Sequence, residues 1–316
     1  MREPRSSLRR ARVVVGTKFL LIAGLVGFVV VAWLAELVAG IHHPVHLGPL
    51  VAGVVAGVPA VLWLGFFYLM DRHEPEPKQL VAGVCVLGAL IAAPLADFVQ
   101  FQLVPPIAIE TQDLDAFSLD HVLYAMFIAG LAQEMCKYAA VRYTVYLSRE
   151  FDEPMDGVVY MMACGTGFAV WVNYHRLSGQ GHEVILSIGA AQAVVTTLAH
   201  ASFAGVLGYV LGRAKFTRRS ALVRGLFLMA GLLLAAALNG QFSVVETWLQ
   251  QTGMDQHPWR TVVYAAGVAS AVFLALWMMS QRLLARSPFR PTAGGPASAN
   301  AAAAVVAAAA AEAKAR

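Results

Sequence analysis

Apolar residues fall in long, nearly unbroken runs, and polar residues collect in the short stretches between them. The pattern predicts eight helices, over residues 17–41, 48–70, 79–104, 121–147, 157–178, 184–212, 221–249 and 261–284. A helix needs about 20 mostly apolar residues to cross a bilayer, and these runs meet that length. The third run is closed by the Pro105-Pro106 pair, which cannot continue a helix. The expected fold class is all-α, a polytopic transmembrane helical bundle of about eight spans. The helical domain occupies residues 17–284, between a basic segment (1–16) and an Ala-rich, low-complexity tail (285–316) to which no function is assigned. Arg2, Arg5, Arg9, Arg10 and Arg12 precede the first run. Its apolar stretch is about 23 residues, against roughly 7–15 for a signal-peptide core, and no small-x-small site closes it, so it reads as an uncleaved helix.

Composition agrees with a lipid environment. Hydrophobic residues make up 59% of the 316 and charged residues 13%, about half of what a soluble surface carries. The net charge of +4 is distributed as loop charge. Segments 1–16, 71–78, 148–156, 213–220 and the tail hold most of the extramembrane Lys and Arg, whereas 105–120 is acidic, with Glu110, Asp113, Asp115 and Asp120. By the positive-inside rule both termini are expected on the cytoplasmic side of a cell membrane. The bilayer, and no nucleic acid, is the partner this pattern implies. Cys85, Cys136 and Cys164 all lie in apolar runs without a CxxC spacing, which predicts core packing rather than disulfides.

Ionisable side chains inside a span cost about 2.5–3.5 kcal/mol each near the bilayer centre, so they are the first functional candidates. They are Glu36, Asp97, Glu134, Lys137, His200 and Glu246. Glu134 and Lys137 are three residues apart on the fourth span, hence on one face, with Gln133 beside them. His200 sits near the middle of the sixth span, and Gly208-x-x-x-Gly212 after it permits close helix contact. A site shared by His200 with Glu134 and Lys137 is expected. Asn173, on the fifth span, is a further donor and acceptor. Glu36, Asp97 and Glu246 are assigned to no site. Asp152 to Asp156 are expected to cap the start of the fifth helix.

Four blocks in this order resemble the PrsW family of bacterial intramembrane proteases, within the broader group that includes the CAAX-prenyl proteases. Asp71-Arg72-His73-Glu74-Pro75-Glu76-Pro77 is similar to the family's D-R-x-E-P-E-P loop. Gln133-Glu134-Met135-Cys136-Lys137 stands at its E-E-x-x-K motif. The third block runs from Asp152-Glu153-Pro154-Met155-Asp156-Gly157 to Tyr160, then Gly165-Thr166-Gly167-Phe168-Ala169 and Asn173-Tyr174. The fourth is His200 with Gly208-Tyr209 and Gly212. Together they cover residues 60–215. Three positions depart from the pattern. Gln133 replaces the first Glu of E-E-x-x-K, Val172 replaces a Glu of the third block, and Ala204 stands where the prenyl-protease relatives have Asn.

The resemblance implies an intramembrane peptidase of a bacterial membrane, acting on a membrane-anchored protein such as an anti-sigma factor, with a glutamate on the fourth span as general base. Here Glu134 fills that role. Lys137 favours its ionised form, His200 and Asn173 are donors for the water or the oxyanion, and Gln133 can hydrogen-bond the water but not take its proton. No cofactor is expected. There is no H-E-x-x-H, and a zinc site built on Glu134 and His200 would need His175 or Asp97 as third ligand. The alternative is a catalytically inactive relative that binds a transmembrane protein or lipid, which the replacements at Gln133 and Val172 favour.

Overall fold

The computed structural model describes residues 4–41, 43–70, 76–103, 123, 125–179, 183–251 and 259–285. It is built of helices: α1 (Pro4–Ala39), α2 (Pro49–Tyr68), α3 (Lys78–Leu103), α4 (Gly130–Arg142), α5 (Pro154–Ser178), α6 (Leu186–Phe216), α7 (Ala221–Gln251) and α8 (Trp259–Leu284). Among the described residues, seven are long and apolar enough to cross a membrane, α4 being the exception. The sequence predicts one span over 121–147. The structure has a π-helical turn at Ala125–Ala129 running into α4, which stops at Arg142. Glu134, Lys137 and Arg142 fall within these eighteen residues, so the described segment is more polar than its neighbours.

The helix starts follow local chemistry. α5 begins at Pro154, three residues earlier than its apolar run. Pro is at home in a first turn, and Glu153 and Asp156 form a reciprocal capping box there, as the acidic Asp152–Asp156 stretch predicts. At the N-terminus of α6, Glu36 of α1 accepts the Ser187 N–H at 2.9 Å, which satisfies one of the donors a helix start leaves open.

α5 and α6 form the centre. Of their most apolar stretches 83% and 94% of residues are buried, against 17–44% in the other five, so the remaining helices ring this pair. The outer faces are apolar. Phe19, Leu50, Phe101 and Leu222 are 70% exposed or more, a surface that a monomer in water does not maintain. The α5–α6 seam depends on missing side chains. A Cβ at Gly208 would strike the backbone of Gly157, and one at Gly212 the backbone of Pro154. This is the close contact expected from Gly208-x-x-x-Gly212. Gly208→Leu is expected to destabilise the bundle by at least the ~1–3 kcal/mol of an overpacked core, read as a lowered unfolding temperature in detergent.

Candidate functional site

α4 brings Glu134 and Lys137 to the flank of the central pair. Lys137 Nζ donates to Glu134 Oε1 at 2.6 Å and lies 3.3 Å from His200 Nδ1 on α6. Glu134 and Lys137 have no exposed surface, and His200 has 4%. The structure therefore brings together the three side chains that the sequence groups, with Lys137 as the hub. Phe168 of α5 forms one wall. Its ring lies 4.5 Å from Lys137 Nζ, a cation–π contact, and 5.3 Å from the His200 ring.

A fourth helix closes the group. Asn239 on α7 is fully buried, and its Nδ2 donates to Gln133 Oε1 and to Glu134 Oε1, both at 2.9 Å. Sequence reasoning missed this residue. The signal was the polar interruption Asn239-Gly240-Gln241 after a long apolar run. Its reach depends on Gly130, one turn before Glu134. A Cβ there would collide with the Ala236 carbonyl and crowd Gly240 N, so only glycine lets α4 and α7 approach closely enough. Gly130→Val is expected to separate Asn239 from Glu134 and lower the unfolding temperature, whereas Gly225→Val, with open space around it, should not.

The hydrogen bonds fix the roles of individual atoms. An ammonium is only a donor, so His200 Nδ1 accepts and the imidazole is the neutral Nε2–H tautomer. Both donors on Glu134, from Lys137 and Asn239, converge on Oε1, while buried Oε2 has no protein donor. Two donors on one oxygen suit a carboxylate, and the second oxygen keeps its lone pairs for another molecule.

The other candidates settle elsewhere. Asn173 donates to Ala193 O (3.2 Å) and Thr197 Oγ1 (3.3 Å), which ties α5 to α6 one turn before His200. Glu246, which the sequence leaves without a role, makes a bidentate pair with Arg176 at 2.7 and 3.1 Å. Asp97 Oδ2 accepts from Trp171 Nε1 at 2.6 Å, and His175 Nδ1 lies 3.0 Å from the Trp171 carbonyl. In the loop that leads into α3, Glu76 is buried and accepts the Tyr160 hydroxyl at 2.5 Å. Residues 71–75 of that motif lie outside the described residues.

These features define a multi-pass α-helical membrane protein that holds a carboxylate, an ammonium and an imidazole together beside its two central helices. Residues 76–256 match the family described as PrsW family intramembrane metalloprotease. Protease PrsW of Geobacillus kaustophilus is 31% identical over 251 residues, covering 78% of this chain and 98% of the relative. Protease PrsW of Bacillus subtilis is 27% identical over 219 residues, covering 69% and 93%. Protease PrsW of Oceanobacillus iheyensis is 33% identical over 162 residues, covering 51% and 68%. No solved structure gives a significant match. The chain belongs to the PrsW family of intramembrane proteases and is a multi-pass bacterial membrane protein.

The family description names a metal. Catalytic zinc takes three protein ligands and a water. Among the described residues no group of three or more His, Cys, Asp or Glu gathers. Glu134 and His200 are two such residues, and the Lys137 ammonium lies within 2.6 and 3.3 Å of their facing atoms. His175 and Asp97 turn to Trp171 instead. This arrangement does not fit a metal ion, because a cation already lies between the two donors and the described residues supply no third.

Proposed function

We propose that the protein is an intramembrane peptidase that cleaves a membrane-anchored protein with a water activated by Glu134. The observation that carries this reading is Lys137 Nζ held between Glu134 Oε1 and His200 Nδ1 in a fully enclosed cluster. Glu134 Oε2 takes a proton from water, and the resulting hydroxyl oxygen bonds to the scissile carbonyl carbon. The carbonyl oxygen becomes an oxyanion, which His200 Nε2–H stabilises by donating to it. On collapse the C–N bond breaks, and the Glu134 carboxyl returns its proton to the leaving amine. Lys137 favours the ionised form of Glu134, and Asn239 fixes the carboxylate so that Oε2 faces the reaction. Gln133 shares the Asn239 amide and is a neighbouring hydrogen-bonding group for the water. Asn173 positions α6, and with it His200. Because the cluster is enclosed, an opening between helices must admit the substrate.

The family resemblance suggests a single-span anti-sigma factor as the particular substrate. A second reading, a non-catalytic relative that binds a transmembrane protein or lipid, is favoured by Gln133 and Val172 at positions where the family has glutamates. One experiment separates the two. The full-length protein is reconstituted in vesicles with tagged single-span proteins of its host, and fragments are read by gel and mass spectrometry. The peptidase reading expects a discrete fragment with the wild type and none with His200→Ala inserted to the same level. If the wild type cleaves nothing while Gln133→Glu/Val172→Glu does, the non-catalytic reading holds.

A further inference from the structure

The short loop between α6 and α7, residues 217–220, carries Arg218 and Arg219, and α7 starts at Ala221. A cavity of about 180 Å³ opens here between the end of α6 and the start of α7, lined by Arg213, Thr217, Arg219, Val223, Arg224 and Phe227 among others. Three of these are arginines, and no Asp or Glu lines the cavity. The Arg213 guanidinium is steadied by the Tyr209 hydroxyl at 3.3 Å and lies 5.9 Å from the Phe227 ring. Glu153 faces the adjoining cavity, where Arg213 also borders, but its side chain caps α5. The cavity also sits at the N-terminal end of a 31-residue helix, whose dipole favours an anion.

Below the cavity the surface turns apolar along the same helix. Val223, Phe227 and Leu234 are 38%, 43% and 53% exposed, and their spacing of four and seven keeps them on the face of the helix that lines the cavity. A triply cationic cup above an apolar stripe matches the two halves of an anionic phospholipid. We infer that this cavity binds the headgroup phosphate of an anionic membrane phospholipid, with an acyl chain laid along Val223, Phe227 and Leu234. Guanidinium groups take phosphate oxygens in bidentate fashion, and basic pockets between spanning helices are suited to such headgroups. A choline headgroup would bring a cation into a cup that has no acid to meet it. A free phosphate would leave the stripe unused. The bound lipid would join α6 to α7, the helices that carry His200 and Asn239. The inference does not depend on the peptidase reading.

The test uses the full-length protein in a neutral detergent, with lipid retention read by native mass spectrometry and stabilisation by thermal unfolding. The probes are phosphatidylglycerol, phosphatidylcholine and glycerol 3-phosphate. The wild type is expected to retain phosphatidylglycerol at least about tenfold more tightly than either other probe. Each basic residue near an anionic lipid surface is worth about fivefold in affinity. Arg219→Gln should therefore lose about fivefold, and Arg219→Gln/Arg224→Gln about 25-fold. Arg149→Gln/Arg282→Gln, which removes exposed arginines outside the cavity, should lose nothing. Should the double variant at the cavity fail to fold, Arg219→Gln alone decides. Equal retention of the two lipids, equal loss in the control pair, or glycerol 3-phosphate binding as tightly as the lipid would each overturn the assignment.

Discussion

Glu134→Gln is expected to reduce peptide cleavage by about 10²–10⁴-fold, the usual contribution of a general base. Glutamine has the same shape and keeps an oxygen where Oε1 accepts from Lys137 and Asn239 at 2.6 and 2.9 Å. What it loses is the basicity of Oε2, the oxygen without a protein donor. Cleavage should therefore be measured per folded molecule in vesicles, with insertion monitored separately. Activity within about threefold of wild type would mean that another group takes the proton, and would remove Glu134 from the reaction. Asn239→Ala provides a graded comparison. It keeps the base but removes one of the two donors that aim it, so kcat should fall while KM stays near its wild-type value. A purely structural role for Asn239 would instead lower the amount of folded protein and leave the kcat of what remains.

The chain's apolar runs made most of the bundle legible. The second and third predicted spans, 48–70 and 79–104, differ from Pro49–Tyr68 and Lys78–Leu103 by no more than two residues at either end, because continuous apolarity is what a spanning helix requires. The start of α5 was displaced because a capping box, not hydrophobicity, fixes it. The fourth span was drawn past its C-terminal end at Arg142 for a related reason. The continuous apolarity of its neighbours does not hold across Glu134, Lys137 and Arg142, so hydrophobic pattern locates it without bounding it.

The site was half legible. Glu134 and Lys137 declare themselves by spacing on a single helix, and His200 by the cost of an ionisable group at mid-span. Convergence across α4 and α6 is tertiary information that no local pattern contains. Asn239 escaped because a neutral amide triggers no charge argument, and because its access to Glu134 rests on backbone contact at Gly130, which is 106 residues distant along the chain from Ala236. The same limit hid the partners of Glu36, Asp97 and Glu246. Each charge inside a span was correctly singled out as costly, yet three of them are satisfied structurally, by the Ser187 amide, the Trp171 indole and the Arg176 guanidinium. Burial of a charge marks a constraint. Within the group, Glu134 Oε2 and Asn239 Oδ1 are buried without a protein partner, and the first is the atom to which the proposed chemistry is assigned.

Lys137→Met is expected to destabilise the folded protein by about 3–5 kcal/mol, the cost of leaving one member of a buried pair without its counterion. Lys137 contacts both Glu134 and His200, has no exposed surface, and spreads its charge over the Phe168 ring. Methionine fills much of the stem's volume, so packing loss is small and the effect reports charge. With the ammonium gone, Glu134 keeps only the Asn239 amide as donor in a site closed to water. The double variant Glu134→Gln/Lys137→Met removes both charges and should regain most of the lost stability, since buried ion pairs replaced by neutral groups of similar size are often neutral in cost. It should regain no cleavage, because the base is absent. Chemical unfolding in detergent of the wild type, two single variants and the double gives the coupling energy directly. Simple additivity of the two single effects would show that the ammonium and the carboxylate do not depend on each other. Lys137 could then no longer be what favours the ionised carboxylate, and the catalytic reading of the cluster would lose the charge that prepares its base.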